Sequence, residues 1–116
     1  MPKAGQRAKA SKPSEIDPAF APVIDAFAGD GQVLLGKIFV STGLQVNGRF
    51  FAFVRKGAMV VKLPRERVRA LIESGAGEPF DRGKGTPLPE WAVIPPGRAD
   101  WVAIAREARR FVGGEG

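Results

Sequence analysis

The chain lacks cysteine, histidine and tyrosine altogether. Without cysteine it has no disulfide scaffold, no thiolate metal site and no cysteine nucleophile. Without histidine it lacks the commonest general base and the commonest metal ligand, so only carboxylates and lysines remain for proton transfer near neutral pH. Because none of these groups has a partner at a diagnostic spacing, we expect no catalytic residue, no metal and no cofactor. The prediction is a protein that is not an enzyme.

Long apolar runs are also missing. No stretch approaches the ~18 apolar residues of a membrane-spanning helix, and residues 1–16 lack the apolar centre of a secretory signal. The default expectation is therefore a cytoplasmic protein with no membrane partner.

Basic residues outnumber acidic ones, and the formal net charge is +6. Residues 1–16 carry four bases against Glu15, whereas residues 17–116 carry 14 bases and 11 acids. The first segment is polar and without periodicity, which predicts a flexible basic tail at 1–16 before a single domain at 17–116. The tail is either a solvated segment or a counter-ion arm for nucleic acid.

Residues 46–63, VNGRFFAFVRKGAMVVKL, predict three strands joined by two tight turns. Asn47-Gly48 and Lys56-Gly57 tolerate the positive φ that two-residue hairpin turns require. Pro64 then ends the sheet and begins a helix over Arg65–Ser74, which Gly75 closes. Consecutive hairpins predict a mainly antiparallel sheet.

The remaining elements are weaker patterns around this stretch. Two further amphipathic helices are predicted, one beginning at Asp17-Pro18 and one capped by Asp100. Strand material is predicted at 33–35, 37–40, 44–46 (after a bulge at Gly43) and 91–94, with a loop at 75–89 that Phe80 anchors. This order predicts an α+β domain of two layers, in which helices cover one face of the sheet.

Strict alternation between the two turns leaves apolar side chains on both faces of the sheet. It places Phe50, Ala52, Val54, Met59, Val61 and Leu63 beneath the helices, with Gln45. The opposite, open face receives Leu44 and Val46 together with the candidate interaction residues Arg49, Phe51, Phe53, Arg55, Val60 and Lys62. An apolar patch fringed by positive charge favours self-association or another protein partner. Covering of the patch by the tail or by the loop at 75–89 is the alternative.

Nucleic-acid binding is a second alternative for this face. RFFAFVRK at 49–56 matches several positions of the RNA-recognition octapeptide, including the two aromatic positions that stack bases, here Phe51 and Phe53. It departs from that motif at Phe50, where glycine is needed, and at Lys56, where an aromatic is needed. The alternative is therefore a weak, sequence-tolerant binder that uses the basic and aromatic side chains of the open face together with the tail.

The order of motifs resembles the TfoX N-terminal domain family and its YjbR/MmcQ-like relatives. The resemblance lies in GKIFVSTGLQVNGRFFAFVRKGAMVVKLP, then ESGAGEPFDRGKGTPLPEWAVIPP, then WVAIAREARRFV. It implies a bacterial protein with a two-layer, secretion-chaperone-like α+β fold and no catalytic residues. Some members regulate natural competence and others are called DNA-binding proteins. The regulators carry a further C-terminal helical domain that has no counterpart in this sequence, so the resemblance implies an interaction or regulatory module rather than a competence regulator.

Overall fold

The computed structural model describes residues 17–38, 41–81, 85 and 87–114. The predicted tail at 1–16 lies outside the described residues. Three helices and six strands follow one another along the described chain: α1 (Ala21–Ala26), β1 (Val33–Ile38), β2 (Ser41–Val46), β3 (Arg49–Arg55), β4 (Ala58–Lys62), α2 (Arg65–Ser74), β5 (Glu78–Asp81), β6 (Pro87–Ile94) and α3 (Trp101–Gly113).

The strands form one six-stranded sheet in the order β1-β2-β3-β4-β6-β5, and every neighbouring pair is antiparallel. The helices pack on one face of this sheet, with α3 against β2, β3 and β4 and α2 against β5 and β6. The predicted α+β class with a mainly antiparallel sheet is confirmed. None of the helices in the described residues is long and apolar enough to cross a membrane.

Both predicted hairpin turns are present. Asn47 and Gly48 have φ of 55° and 76°, and Lys56 and Gly57 have φ of 55° and 81°. Two successive positive φ values match the twist of the flanking strands, which is why the chain reverses there without splaying them.

The helix ends follow the predicted signals. Gly75, with φ of 84°, closes α2 in the left-handed conformation, and the Asp100 carboxylate accepts hydrogen bonds from the backbone N–H groups of Val102 and Ala103 at the start of α3. α1 begins later than predicted, at Ala21, because Asp17 closes a separate turn in which its carboxylate accepts from the Ala19 N–H.

Two strand assignments from the sequence were wrong. β1 runs unbroken through Gly36 and pairs with β2, whereas the sequence pattern predicted a break at Gly36 and a bulge at Gly43. Residues 39–40 of the predicted strand lie outside the described residues. The loop predicted at 75–89 contains β5 and the beginning of β6. β5 and β6 were missed because both contain proline, which is rare inside strands. Pro79 is tolerated because β5 is an edge strand, where a missing backbone N–H costs no ladder hydrogen bond.

The main core lies between the sheet and the helices. It includes Phe20, Val23 and Phe27 from the first helical segment and Trp101, Ile104 and Ala105 from α3. Two Arg–carboxylate pairs hold the helices in place. Arg67 on α2 donates from Nε and Nη2 to the Glu107 carboxylate on α3, and this hydrogen bond raises the pKa of Arg67. Arg109 on α3 bonds the carboxylate of Asp30, in the turn before β1.

Candidate interaction face of the sheet

A β-bulge in β3 decides which side chains lie on which face. Gln45 pairs with Phe50 and Leu44 pairs with Ala52, so Phe51 is an extra residue with no partner in β2. The extra residue interrupts the alternation of side chains. As a result Phe51 and Ala52 both enter the helix-side core.

The bulge corrects the predicted faces on its N-terminal side. Phe51 is fully buried in the helix-side core, where its ring meets that of Phe27 edge-on at a centroid distance of 5.4 Å. Arg49 pairs with Val46, which belongs to the same core, so Arg49 lies on the helix side of the sheet as well. Neither residue belongs to the face for which it was predicted.

The same inversion affects β2 and the start of β3. Leu44 and Val46, predicted on the open face, are buried under the helices, whereas Gln45 and Phe50, predicted under the helices, lie on the opposite face. Beyond the bulge the predicted alternation is correct. Phe53, Arg55, Val60 and Lys62 share the face away from the helices, as expected.

We call this side of the sheet the outer face. The side chains that strand pairing and contacts place on it are Leu34, Gln45, Phe50, Phe53, Arg55, Val60, Lys62, Phe80, Leu88, Trp91 and Val93. At its centre the rings of Phe53, Phe80 and Trp91 contact one another, with centroid distances of 5.8–6.3 Å. Angles of 56–78° between the ring planes are the edge-on and tilted arrangements that aromatic quadrupoles favour.

Two cations lie against these rings. The Arg55 guanidinium carbon is 5.9 Å from the centre of the Phe80 ring, and the Lys62 Nζ is 5.6 Å from the centre of the Trp91 ring. Lys62 also approaches the Glu90 carboxylate at 4.0 Å. The aliphatic stems of both side chains therefore cover apolar surface while their charged ends stay near water.

Phe80 and its neighbours cover much of the predicted apolar patch. Phe53 is only 2% exposed and Val60 only 1%, although no helix lies over them. Of the two segments that were expected to be able to cover the patch, the one at 75–89 does so, through β5. The predicted anchoring role of Phe80 is confirmed. The outer face presents to a partner the exposed Leu34 and several half-buried side chains, which are Gln45, Phe50, Arg55, Lys62, Leu88, Trp91 and Val93.

Phe50 lies over a pair of glycines. Gly36 and Gly43 are directly opposite each other in β1 and β2, and the Phe50 ring comes within about 3 Å of the point where a Cβ on either would stand. The ring fills the space that the two missing side chains leave, which protects the backbone of this part of the sheet.

Charges around the aromatic cluster are balanced. A cleft of about 380 Å³ opens beside Phe80 and Val60, with Arg55 and Lys56 on its wall together with Glu78 and Asp81. Arg98 pairs with Glu78 at 3.5 Å, and Lys62 has Glu90. The outer face is therefore of mixed charge, and the positive fringe predicted from the sequence is largely offset.

Phe50, Leu88 and Trp91 were not predicted as residues of this face. A signal for Trp91 was present, because it lies in a short apolar strand, ended by Pro95, that had to pair with another strand of the sheet. Phe50 could not have been assigned, since its face depends on a bulge that no residue type in β3 marks.

In the described part of the chain no three carboxylates come together as metal ligands. Comparison with known protein families, with curated proteins and with solved structures finds no match to this chain.

Proposed function

We propose that this chain is a non-enzymatic, cytoplasmic interaction module of the TfoX N-terminal type, and that it binds a protein partner through the outer face. The order of sequence motifs and the two-layer antiparallel architecture support the family part of the proposal. The observation that carries the binding part is the outer face itself, on which Trp91 is half-buried within the aromatic cluster and Phe50 is half-buried over Gly36 and Gly43.

Such a surface suits protein recognition for two reasons. Aromatic side chains that are already packed lose little conformational freedom when a partner covers them, and tryptophan is enriched among residues that dominate binding energy. Trp91 is held by Phe53, Phe80 and Lys62, so a partner meets a ring whose position is set in advance.

The balance of charge favours a protein over a nucleic acid. Binding to a phosphate backbone requires cations that are not already compensated, whereas Lys62 lies near Glu90 and the cleft beside Phe80 has carboxylates as well as cations on its wall. The stacking residues of the nucleic-acid alternative are also lost, because Phe51 and Phe53 are buried. The net positive charge of the chain is the feature that still supports nucleic-acid binding.

Site-specific photo-cross-linking in the source organism tests the proposal. A photoreactive amino acid replaces Leu88 on the outer face and, in a matched control, Arg69, an exposed residue of α2 on the helix layer. We expect a defined protein adduct from position 88 that position 69 does not give. The adduct partner is then purified and its affinity for the full chain is measured by calorimetry.

The affinity measurement ties the adduct to the outer face. Trp91→Ala should weaken binding of the purified partner by about tenfold or more, which corresponds to ~1.4 kcal/mol, while Arg69→Glu leaves it unchanged. Equal adducts from both positions, or a partner that binds Trp91→Ala as tightly as the original chain, would overturn the proposal. Adducts with nucleic acid and with no protein would overturn the proposal in favour of nucleic-acid binding.

A further inference from the structure

The two edges of the sheet differ in a way that points to a partner strand at one of them. β5, at one edge, is four residues long and contains Pro79 with Glu78 and Asp81. Short length, proline and charge are the features that prevent an edge strand from pairing with another chain. β1, at the other edge, is six residues long, has no proline and contains Lys37 as its single charged residue.

Two of the three large apolar side chains that remain exposed in the described residues belong to this second edge. Leu34 is 61% exposed and Leu35 is 48% exposed, and both belong to β1. They lie on opposite faces of the sheet, because Leu34 pairs with Gln45 of the outer face and Leu35 pairs with Leu44 of the helix side. A strand added beside β1 would give both leucines a cross-strand neighbour.

Phe111, which is 38% exposed, comes from the end of α3 that packs near the start of β1. Arg109, two residues earlier, donates from Nη2 to the Gln32 side chain just before β1, at 2.8 Å. A Cβ on Gly113, two residues later, would fall within 3 Å of the Val46 side chain, and Val46 pairs with Val33 of β1. The last turn of α3 thus lies near the first residues of β1.

We propose that β1 pairs with β1 of a second copy of this chain, in antiparallel register about a two-fold axis perpendicular to the sheet. Such an axis keeps the outer faces of both copies on the same side, so paired residues must belong to the same face. The register centred on Leu35 satisfies this condition. It sets Leu35 opposite its own copy, Leu34 opposite Gly36, and Val33 opposite Lys37.

This register suits the residues it brings together. Leu34 stands opposite Gly36 of the other copy, over which the Phe50 ring and the Gln45 side chain already lie, so the leucine would pack against these two side chains. The two Leu35 side chains meet on the helix side. The register pairs position 37 with Val33 rather than with position 37 of the other copy, so no like charges occupy paired positions. Pairing of this kind is isologous and closes after two copies, because each β1 edge is used once.

The result is a continuous sheet of twelve strands with two outer faces side by side. One strand edge buries less surface than a standard dimer interface of ~1,600 Å², so the dimer should form in a concentration-dependent way. The inference does not rest on the proposed function, since β1 can pair whether or not the outer face binds a partner.

Sedimentation of the full chain at increasing concentration tests the proposal. We expect a reversible monomer–dimer equilibrium for the original chain and a dissociation constant at least about tenfold weaker for Leu35→Lys and for Leu35→Glu. An equimolar mixture of these two variants should recover dimerisation, because opposite charges then face each other at the centre of the interface. Leu34→Lys mixed with Leu34→Glu should give no such recovery, since residue 34 faces residue 36.

Circular dichroism checks that each variant folds. Because both leucines are exposed, we expect the fold to be retained. A variant that had unfolded would not recover dimerisation in the mixture. A chain that stays monomeric at millimolar concentration overturns the proposal, as does a dimer that both Leu35 variants leave intact. A dimer lost on Trp91→Ala but retained in the Leu35 variants would place self-association on the outer face instead, and this too overturns the β1 proposal.

Discussion

The ring of Phe50 occupies the space that a side chain at Gly43 would need: its Cδ1 lies 2.9 Å from the point where a Cβ on Gly43 would stand. The Cβ of Phe53 closes the same space at 3.0 Å. Because the second contact is to the beginning of a side chain rather than its flexible end, the site has little freedom to make room.

Gly43→Ala should therefore destabilise the protein by about 1–3 kcal/mol, the usual cost of overpacking. Urea unfolding monitored by circular dichroism measures the change. Gly29→Ala is the control, since nothing lies within 4 Å of its added Cβ and its backbone is outside the left-handed region. Equal effects at the two glycines would show that the Phe50 ring does not lie over Gly43.

Truncation of the two neighbouring phenylalanines should have unequal effects. Phe51→Ala removes a fully buried ring from the helix-side core and should cost about 3–5 kcal/mol of unfolding free energy. Phe50→Ala removes a half-buried ring of the outer face and should cost less by at least about 1 kcal/mol. Strict alternation without the bulge predicts the reverse order, so denaturant unfolding of the two variants separates the two arrangements.

Asp30 should make stability depend on pH in the acid range. The hydrogen bond from Arg109, helped by the Gln32 backbone N–H, holds the pKa of Asp30 below its ordinary value of 3.8. A carboxyl whose pKa is lowered by folding stabilises the folded state above the unfolded pKa, and the contribution disappears as the pH falls through the folded pKa. Asp30→Asn should therefore lower the thermal midpoint at pH 7 and have a smaller effect at pH 3.

The matched control for this prediction is Asp25→Asn, an exposed carboxyl on α1. Its effect on the midpoint should be small at both pH values. If Asp30→Asn lowered the midpoint equally at pH 7 and pH 3, the Arg109 pair would have no role in the acid dependence.

Arg67 and Glu107 should be energetically coupled, because the guanidinium bonds both carboxylate oxygens, at 2.8 and 3.1 Å. Both side chains are partly exposed, 41% and 29%, so solvent screens the pair. A double-mutant cycle with Arg67→Ala and Glu107→Ala should give a coupling of about 0.5–1 kcal/mol that falls when salt is raised to about 1 M. A coupling of zero at low salt would mean that the pair does not link α2 to α3 in solution.

The sequence was a sufficient guide where one local signal decides the structure. The positive-φ turns at 47–48 and 56–57, the glycine after α2 and the Asp100 cap each depend on a residue type with a strong conformational preference. The α+β class follows from these signals, because consecutive hairpins and amphipathic helices leave few other ways to build a core.

The errors arose where the structure depends on pairing partners. Phe50 and Phe51 are the same residue type, and only the pairing of β3 with β2 and β4 together determines which of them is the bulge. Likewise Pro79 argues against a strand until β5 is known to lie at the edge of the sheet. The predicted site residues C-terminal to the bulge, which are Phe53, Arg55, Val60 and Lys62, therefore lie on the outer face as expected. Arg49 and Phe51 lie on the helix side instead.

The functional account depends on which aromatic rings line the outer face, and nuclear Overhauser effects from the ring protons of the full chain measure this most directly. The account predicts contacts from Phe51 to Phe27, whose ring centres are 5.4 Å apart, and from Phe50 to the α-protons of Gly43. Contacts from Phe51 to Phe53 or Trp91, with none to Phe27, would contradict it and return Phe51 to the face on which a partner binds.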